Sequence, residues 1–573
     1  MGNEKVKSVI SEINLENETI TDEENIANVA NEYFTNIGAS LDENFDDSTD
    51  YMSYMRNIQI NNSFVFSPVT KEEIVAILKG LKSSSPGHDS IPMRVYKDNV
   101  DILGDTILDI SNKCLSQGIF PDRMKIAKVT PVFKAGDKNR IGNYRPIPVL
   151  GSFSKIIEKI VFIQLNSYLN DNNVLSNFQF GFRSGFSTEN AIQSFLSDVY
   201  SAFSEKKFSI CVLMDLSKAF DSVKHSILLQ KLHYYGIHGI ALDFFKSYLE
   251  NRKQFVVNGD SKSTDLNINT GVAQGSIIGP LLFILFINDT IFSSNISKFV
   301  LYADDTSLLF SSADLNELIN TVNLELSKVA LWFNCNHLTL NLSKTNYILL
   351  HPRRARLPAS FPSLRINDSL IDRVFQARFL GVIIDPLLRF ETHVLFVVKK
   401  LSKFMPIIRK IRPYLDNSCL KNIYHSLIYP NLIYCISAWG GVNKASLKPI
   451  NVLQRGIVRS ICGFNRRTST EPVFRELKLL NMDMVHQYFT STYVYRTLRN
   501  PLVNCFIYRS YIRVTRESNM NLLDIPNIQS NYCRQGIAYR GPKIYNSIPL
   551  EIRSIETFET FKYNLKKYYL ELQ

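Results

Sequence analysis

The spacing of apolar residues alternates along the chain between a helical period and a strand period. Apolar positions that recur every three to four residues predict helices over 23–34, 68–81, 102–117, 152–170, 223–250, 277–291 and 314–337, and a mainly helical chain after residue 390. Thr21 or Asp22 is placed to cap the first helix. Short apolar runs predict strands over 128–134, 209–214 and 299–310. This mixture predicts an α+β fold, with a polar loop or linker over 42–63.

Acidic residues interrupt two of the predicted strands. The first run stops at Asp215, and Asp304 with Asp305 divides the run over 299–310, which predicts two strands joined by a tight turn. Ionised aspartates are rarely buried without a partner, and adjacent like charges are unfavourable unless a cation neutralises them. Three converging carboxylates suit Mg²⁺, and two such ions can hold the attacking 3′-hydroxyl and the leaving pyrophosphate of a phosphoryl transfer. The alternative is that Asp304 and Asp305 form only a polar turn.

Charge is distributed unevenly along the chain. The net charge is +12, yet residues 1–50 hold thirteen acidic residues against two lysines. Residues 451–573 hold eighteen Lys and Arg against nine acidic residues. A basic half of this kind predicts a polyanionic partner, although a solvated basic surface would have the same composition. Tyr and Arg interleave over 508–513, where they could stack on single-stranded bases or lie half-buried.

Residues 391–413 predict a basic amphipathic helix. They combine six Lys and Arg with an apolar stripe that includes Val394 and Leu401. Pro406 is expected to kink this helix. The basic face suits the phosphates of a nucleic-acid duplex, and a basic face without a ligand is the alternative.

Cysteine usage and hydropathy exclude several classes of protein. The eight cysteines form no CxxC pair and no zinc-knuckle spacing, so they predict reduced thiols in an intracellular protein. The sequence contains no run of eighteen uncharged apolar residues, so it predicts no membrane-spanning helix. Residues 1–10 lack the apolar region of a signal peptide.

Several sequence blocks follow one another in a characteristic order. They are KSSSPGHDSIP at 82–92, NYRPIPVL at 143–150, NFQFGFR at 177–183, GVAQGSIIGPLLF at 271–283, YADDT at 302–306, LTLNLSK at 338–344 and FLGVIID at 379–385. Each block is weak alone, but the combination is highly specific. From about residue 20 to the C-terminus, the chain resembles the reverse transcriptases of non-LTR retrotransposons, specifically the jockey-like branch of LINE elements.

This resemblance implies a right-hand polymerase with fingers, a palm built on an antiparallel sheet and a helical thumb, followed by a mainly helical C-terminal region. It divides the chain into an acidic N-terminal connector (1–65), fingers and palm (66–385, with a core at about 114–385), a thumb-like helical region (386–465) and a basic C-terminal region (466–573). The implied activity is RNA-directed DNA polymerisation in the nucleus or cytoplasm, with an RNA template, a DNA primer or target and dNTPs as partners. Such elements usually carry an upstream endonuclease, and nothing here supplies nicking chemistry, so a partial copy is expected.

The resemblance also assigns roles to individual positions. Asp215, Asp304 and Asp305 match the ligands of two Mg²⁺ ions, for which Mn²⁺ can substitute, and the carbonyl of Leu216 would complete one shell. Further matches are Lys344 as the proton donor to pyrophosphate, Phe220 as the steric gate that selects dNTP over rNTP, Gln274 and Gly275 as the loop beside the nascent base pair, Arg145 and Lys134 as triphosphate contacts, and Phe379, Leu380 and Gly381 as the primer grip.

Simpler interpretations of these residues stay open. Phe220 could be a core aromatic, and Lys134 and Lys344 could be solvated lysines. His225 and His233 are better explained as packing or hydrogen-bonding residues than as general bases.

Two departures from the family pattern put the level of activity in doubt. Pro148 stands where Ser is common, and Ser90 stands where Gly is common. The main alternative is therefore a catalytically decayed, polymerase-derived protein that binds RNA or DNA. An RNA-dependent RNA polymerase is disfavoured by Phe220 and by Ala303, where such enzymes tend to have Gly.

Overall fold

Two five-stranded sheets organise the described part of the chain, and helices cover them. The computed structural model describes residues 9–15, 18–42, 45, 50–55, 60, 62–83, 85–358, 361–509 and 521–573. The predicted mixture of helix and sheet is confirmed. Part of the predicted linker over 42–63, together with Tyr511 and Arg513, lies outside the described residues. Within the described segments, no helix has the length and apolarity needed to cross a bilayer.

The predicted helices and strands are present, but the helical segment predicted over 223–250 divides into two helices, and most of the short strands after residue 250 were not predicted. The strands are β1 Ile13–Asn14, β2 Thr19–Ile20, β3 Ile126–Phe133, β4 Tyr144–Val149, β5 Phe208–Met214, β6 Arg252–Asn258, β7 Ser261–Lys262, β8 Leu266–Ile268, β9 Lys298–Tyr302, β10 Asp305–Ser312, β11 Asn346–Leu350, β12 Arg365–Ile366, β13 Ser369–Leu370, β14 Asp372–Arg373, β15 Ala377–Phe379 and β16 Val382–Ile384. The helices of the first two thirds are α1 Glu23–Asp42, α2 Lys71–Gly80, α3 Met93–Asp98, α4 Val100–Gln117, α5 Ser152–Asp171, α6 Thr188–Ser204, α7 His225–Tyr234, α8 Gly239–Leu249, α9 Gly279–Phe286 and α10 Leu315–Cys335. Those that follow are α11 Glu391–Ser402, α12 Phe404–Ile411, α13 Asn417–Ile423, α14 Tyr429–Ile433, α15 Ile436–Trp439, α16 Lys444–Cys462, α17 Glu471–Glu476, α18 Met482–Leu498, α19 Ile537–Asn546, α20 Leu550–Arg553 and α21 Phe558–Leu572.

The first sheet, sheet I, has the strand order β14-β11-β5-β10-β9, with β5 in the middle. Strands β10 and β11 flank β5 and run antiparallel to it. Successive side chains of a strand point to opposite faces, and both faces of sheet I are apolar. Val212, Leu308 and Leu349 belong to one hydrophobic core, whereas their neighbours Cys211 and Leu309 belong to another. Sheet I therefore separates two cores, as expected for strands that read as continuous apolar runs.

The second core joins sheet I to the helices that follow residue 390. It contains residues of α6, α11, α16, α18 and α21 as well as one face of the sheet. Trp439 at the end of α15 is fully buried in this core, and its indole Nε1 donates to the Tyr434 carbonyl at 2.9 Å. The later helices are thus packed continuously onto the sheet that carries the acidic residues.

The second sheet, sheet II, has the order β4-β3-β6-β7, and β8 pairs with β6. Helix α1 packs against it. Asp22 is the residue that caps α1, since its carboxylate accepts from the Asn25 N–H at 2.9 Å. The Asn31 amide donates to the Thr264 carbonyl at 2.8 Å and accepts from Gln254 at 3.1 Å. These bonds fasten the N-terminal helix to sheet II.

The single kinked helix predicted over 391–413 is wrong, because the structure has two helices. Helix α11 ends at Ser402 and α12 begins at Phe404, so the break falls at Lys403 and not at Pro406. Pro406 has no N–H to donate to the carbonyl four residues earlier, and its ring crowds that carbonyl. The helix therefore breaks one turn before the proline. The predicted amphipathic character is confirmed, since Val394 and Leu401 are buried while Lys399 is exposed.

Candidate active site

The acidic residues meet at one end of sheet I. Strands β9 and β10 form a hairpin whose two-residue turn is Ala303-Asp304, and Ala303 adopts a positive φ of 56°. Two-residue hairpin turns require such a conformation because it matches the twist of the strands. The pairing of β10 with β5 ends at Thr306 and Met214, so the next pair in this register is Asp305 and Asp215. The predicted turn therefore exists, and it brings Asp304 and Asp305 beside Asp215.

A segment that precedes α6 supports this turn. The Gln179 side chain is buried, and its Oε1 accepts from the N–H groups of Ala303 at 3.1 Å and Gly181 at 2.8 Å. Phe180 and Leu301 add backbone hydrogen bonds between the segment and β9. A Cβ on Gly181 would lie 2.4 Å from the Ala303 nitrogen, so only glycine allows this approach.

Electrostatic repulsion acts within the group of carboxylates. Burial is the largest cause of a raised pKa at Asp305, and together with the charges of Asp304 and Asp215 it brings that pKa to about 6. Burial also raises the pKa of Asp304, while Arg145 opposes this shift. Both residues are exposed at the surface, while the surrounding protein limits the hydration of their carboxylates. The Lys344 Nζ lies 3.3 Å from Asp215 Oδ2 and offsets part of the negative charge.

The donor set fits a hard divalent cation. Carboxylate oxygens are preferred ligands of Mg²⁺, which takes one or two of them and completes its shell with water and substrate phosphates. Among the described residues, no three His, Cys, Asp or Glu side chains already stand in a metal-binding arrangement. When substrate phosphates complete the coordination shell of the metal, the protein does not need to supply every ligand. The raised pKa values of Asp304 and Asp305 mean that their ionised forms are unfavourable in this environment. A bound cation would stabilise these ionised forms.

Leu216 follows Asp215 in a tightly held backbone segment. It forms an isolated β-bridge with Leu340. Its neighbours make the hydrogen bonds of that bridge: Ser217 N donates to the Thr339 carbonyl at 2.9 Å, and Asn341 N donates to the Asp215 carbonyl at 2.8 Å. The LTLNLSK block therefore fixes the backbone on both sides of Leu216.

Four cations lie near the carboxylates. Arg145 is exposed on β4, and Lys134 is exposed just after β3. Burial lowers the pKa of the Lys218 ammonium. Lys134, Arg145 and Lys344 lower the pKa of Lys218 further, against the opposing charge of Asp221, so all three cations lie within electrostatic range of it. The three cations proposed from the sequence are thus brought together, and Lys218 joins them.

Phe220 and Gln274 lie on two segments that contact each other. The Phe220 ring is half-buried and stacks on Phe283 of α9, with centroids 4.2 Å apart. The Gln274 amide donates to Asp221 Oδ1 at 3.0 Å, and burial raises the pKa of Asp221 to about 6. Gly275 has a φ of 108°, and a Cβ there would lie 2.8 Å from the Pro148 carbonyl oxygen. This arrangement joins the residues proposed to contact the nucleotide.

The proposed primer grip is the turn between β15 and β16. Leu380 and Gly381 both have positive φ, as a type I′ turn requires. Tyr434 OH donates to the Leu380 carbonyl at 2.7 Å. Phe379 is buried against Phe195, with ring centroids 4.7 Å apart, so its side chain supports the turn from beneath. Leu380 and Asp305 line the same small cavity, which places the turn beside the acidic hairpin.

Comparison with known proteins identifies the part of the chain that carries these residues. A family model described as reverse transcriptase (RNA-dependent DNA polymerase) matches residues 134–384. Residues 134–384 are a reverse transcriptase domain. All three acidic residues lie within this reverse transcriptase domain, as do the four cations near them.

Three relatives from Drosophila melanogaster match beyond the reverse transcriptase domain. The probable RNA-directed DNA polymerase from transposon BS is 28% identical over 490 residues, covering 82% of this chain and 52% of the relative. The RNA-directed DNA polymerase from mobile element jockey is 27% identical, covering 77% and 49% respectively. The probable RNA-directed DNA polymerase from transposon X-element is also 27% identical, covering 72% and 46%. The chain thus spans about half the length of these relatives, and the predicted resemblance to non-LTR retrotransposon reverse transcriptases is confirmed.

The sequence alone did not single out two residues of the reverse transcriptase domain. Gln179 lies in the NFQFGFR block, but its role as the acceptor for the acidic turn depends on β9, which is more than a hundred residues away. Lys218 lies between Asp215 and Phe220 in the sequence. A lysine so close to two proposed site residues could have indicated that it belongs to the site. His225 forms a structural contact, as expected, because its Nε2 lies 2.8 Å from the Gly271 carbonyl oxygen.

The backbone conformation of Ser90 bears on one of the two departures from the family pattern. Ser90 occupies the position where the resemblance implies a glycine, and its φ is 57°. The turn therefore keeps a left-handed conformation that glycine adopts without steric cost. A serine in this conformation adds local strain that glycine would avoid.

Proposed function

We propose that this chain is an RNA-directed DNA polymerase, which adds dNTPs to the 3′-hydroxyl of a primer paired with an RNA template. The observation that carries this proposal is the hairpin that places Asp304 and Asp305 opposite Asp215 inside a reverse transcriptase domain. The relatives named as RNA-directed DNA polymerases support the same reaction.

The proposed layout is that of a right-hand polymerase. Sheet I, with the helices packed on the face that carries Val212 and Leu308, would be the palm, and sheet II would belong to the fingers. The helices over 386–465 would form the thumb, followed by a basic C-terminal region over 466–573. The acidic N-terminal region over 1–65 would be a connector, and α1 within it would brace the fingers by its packing on sheet II.

The site residues divide the work of nucleotidyl transfer. Asp215, Asp304 and Asp305, with the Leu216 carbonyl, would hold two Mg²⁺ ions, and Mn²⁺ is an expected substitute. When bound, the metal stabilises negative charge on the attacking and leaving oxygens. The Lys344 ammonium holds a proton beside Asp215, where leaving pyrophosphate could accept it.

The remaining residues would bind the nucleotide. Arg145 suits bidentate contact with the triphosphate, and Lys134 adds a point charge. The exposed part of the Phe220 ring would pack under the sugar and exclude a 2′-hydroxyl. Gln274 and Gly275 would line the nascent base pair, and Leu380 with Gly381 would hold the primer backbone.

Primer extension on poly-rA with oligo-dT tests the proposal. The purified chain should incorporate dTTP in a Mg²⁺-dependent reaction, and Asp304→Ala should abolish incorporation. Asp105→Ala is the matched control, because Asp105 lies on α4 and pairs with Lys71 on the surface. Activity that survives in Asp304→Ala would contradict the proposal. Salt-sensitive RNA binding by folded wild-type protein without any incorporation would also contradict it and would indicate a decayed, nucleic-acid-binding protein.

A further inference from the structure

Glu158 is a carboxylate buried completely beneath the residues proposed to contact the nucleotide. It lies on α5 and has 0% exposure. Its Oε2 accepts from the backbone N–H of Ile277 at 2.6 Å, and its Oε1 accepts from the Tyr248 hydroxyl at 3.2 Å. Burial raises the pKa of Glu158, while the hydrogen bond from Ile277 opposes this shift.

A buried arginine lies near this carboxylate. Arg252 is 3% exposed, and its Nη1 donates to the Tyr248 carbonyl at 3.0 Å. Its guanidinium carbon lies 4.8 Å from the centre of the Tyr248 ring. The positive charge of Arg252 lowers the pKa of Glu158. Burying charges is costly, and replacement of such groups by apolar residues is often neutral for stability. A contribution to stability therefore does not explain why Glu158 and Arg252 are buried here.

The contact with Ile277 fixes one end of a loop. We call residues 271–278 the nucleotide loop, because it contains Gln274 and Gly275. Its first half is tied to the chain that follows β5: Gly271 N donates to the Val223 carbonyl, and Val272 N donates to the Phe220 carbonyl, both at 2.8 Å. Glu158 holds the second half through Ile277. Gln274 and Gly275 lie between these two attachments.

The same attachment controls the approach of α9. This helix begins at Gly279, two residues after Ile277, and carries Phe283 against the Phe220 ring. A shift of Ile277 would therefore move Phe283 as well as Gln274. One buried hydrogen bond thus links the loop beside the base pair to the ring proposed to exclude a 2′-hydroxyl.

We propose that Glu158 is a positioning residue for nucleotide selection, which holds the nucleotide loop and the start of α9 in register with Phe220. This role rests on the proposed polymerase function. Loss of the second attachment leaves the metal-binding carboxylates in place but loosens the contacts to the incoming base and sugar. Its consequence is weaker dNTP binding and weaker discrimination against rNTP, with little change in the rate at saturating nucleotide.

Single-nucleotide primer extension with Glu158→Gln tests this role. Glutamine keeps the size of the side chain but removes the charge and one acceptor oxygen. We expect the KM for dTTP to rise roughly tenfold, since a misplacement of about 1 Å costs up to ~100-fold. The ratio of kcat/KM for dTTP over UTP should fall, and kcat for dTTP should change by less than about threefold.

Two further variants make the result specific. Glu325→Gln is the matched control, because Glu325 is also a buried carboxylate but lies on α10 with Ser294 and Lys328 as partners. It should leave the KM for dTTP and the sugar preference unchanged. Tyr248→Phe removes only the hydroxyl that donates to Glu158, so it should shift the same two parameters by a smaller factor.

Each outcome separates this proposal from the polymerase function itself. A fall in kcat with unchanged KM and unchanged sugar preference in Glu158→Gln would overturn the positioning role. If Glu158→Gln does not fold, Tyr248→Phe decides, and unchanged nucleotide parameters in that variant would overturn it too. Wild-type protein that incorporates no dTTP would instead refute the proposed function.

Discussion

At the scale of single residues, the site depends on charges that the protein brings unusually close. Asp305 is the clearest case, since burial and the charges of two neighbouring carboxylates together raise its pKa to about 6. Lys344 and Arg145 offset only part of this charge. At the proposed metal site, protons would therefore compete with a divalent cation for the same oxygens near neutral pH.

This competition predicts how the metal requirement depends on pH. The pKa of Asp305 is raised, so its carboxylate is mostly ionised above pH 6 and increasingly protonated as the pH falls through 6. The Mg²⁺ concentration that gives half-maximal incorporation should therefore rise as the pH is lowered from about 7.5 to about 6. Mg²⁺ titrations of primer extension at each pH measure this. Template-primer binding in EDTA at the same pH values is the control, and a constant half-maximal concentration would contradict the prediction.

The preference for dNTP over rNTP is expected to depend on the Phe220 ring. Phe220 keeps part of its ring exposed while one face stacks on Phe283. Phe220→Ala should increase incorporation of rNTP relative to dNTP by at least tenfold, because the ring no longer excludes a 2′-hydroxyl. Competition between dTTP and UTP in primer extension measures the ratio. Phe375→Ala, at a ring that is 65% exposed, should leave the ratio unchanged. An equal sugar preference in all three proteins would show that Phe220 is only a core aromatic.

At the scale of elements, a buried ion pair fastens three helical segments behind sheet I. Lys231 of α7 has 0% side-chain exposure and lies 2.5 Å from Asp289 Oδ1. The Lys231 Nζ also donates to the Phe286 carbonyl at the end of α9, at 2.7 Å. Asp289 Oδ2 accepts from Trp332 Nε1 of α10 at 2.9 Å. Each charged atom in this network has a partner, which makes removal of one partner costly.

Lys231→Met should therefore destabilise the protein by about 3–5 kcal/mol, since it leaves Asp289 buried and unpaired. Adding Asp289→Asn should recover part of the loss, because the amide oxygen can still accept from Trp332 and no charge remains. Denaturation followed by tryptophan fluorescence measures both variants.

The exposed pair Lys71–Asp105 provides the control for the buried pair. Both side chains are well exposed, at 41% and 74%. Lys71→Met should leave the denaturation midpoint unchanged, because surface pairs contribute little. A Lys231→Met variant as stable as the Lys71→Met variant would show that the buried network is dispensable.

At the scale of the whole molecule, the net charge of +12 gives every anionic partner an attractive field. The exposed lysines of α11 and the residue after it form a concentrated part of that charge, at Lys399, Lys400 and Lys403. Their helix packs on the core shared with sheet I, so its basic face is held in a fixed position relative to the acidic hairpin.

The salt dependence of nucleic-acid binding tests this basic face. Replacing Lys399, Lys400 and Lys403 together by Ala should lower the slope of log affinity against log salt by about 0.7 to 0.9 for each phosphate contact removed. Fluorescence anisotropy with a primed RNA template over a range of salt concentrations measures the slope. A variant with Lys71, Lys113 and Lys246 replaced by Ala carries the same change in net charge elsewhere. Equal slopes for the two variants would refute a specific contact.

The sequence by itself determined most of the helices, the strands that carry the candidate site and the identity of the acidic residues. Apolar runs that stop at Asp215 and divide at Asp304 are local signals, because side-chain alternation and turn chemistry act over a few residues. The cap of α1 was limited to Thr21 or Asp22 for the same reason, and the structure shows that Asp22 forms it. Even the break at Lys403 has a local cause in Pro406, although the sequence placed it one turn too late.

Only the tertiary structure decided which distant groups complete the site. Glu158 and Ile277 are 119 positions apart, and Gln179 and Ala303 are 124 positions apart. No periodicity relates such pairs, since a buried acceptor finds its donor only after sheets and helices have packed. The grouping of Lys218 with Arg145 and Lys344 likewise joins residues that are far apart in the sequence. The sequence thus determined which residues are candidates for the chemistry, and tertiary packing decided which distant groups hold them in position.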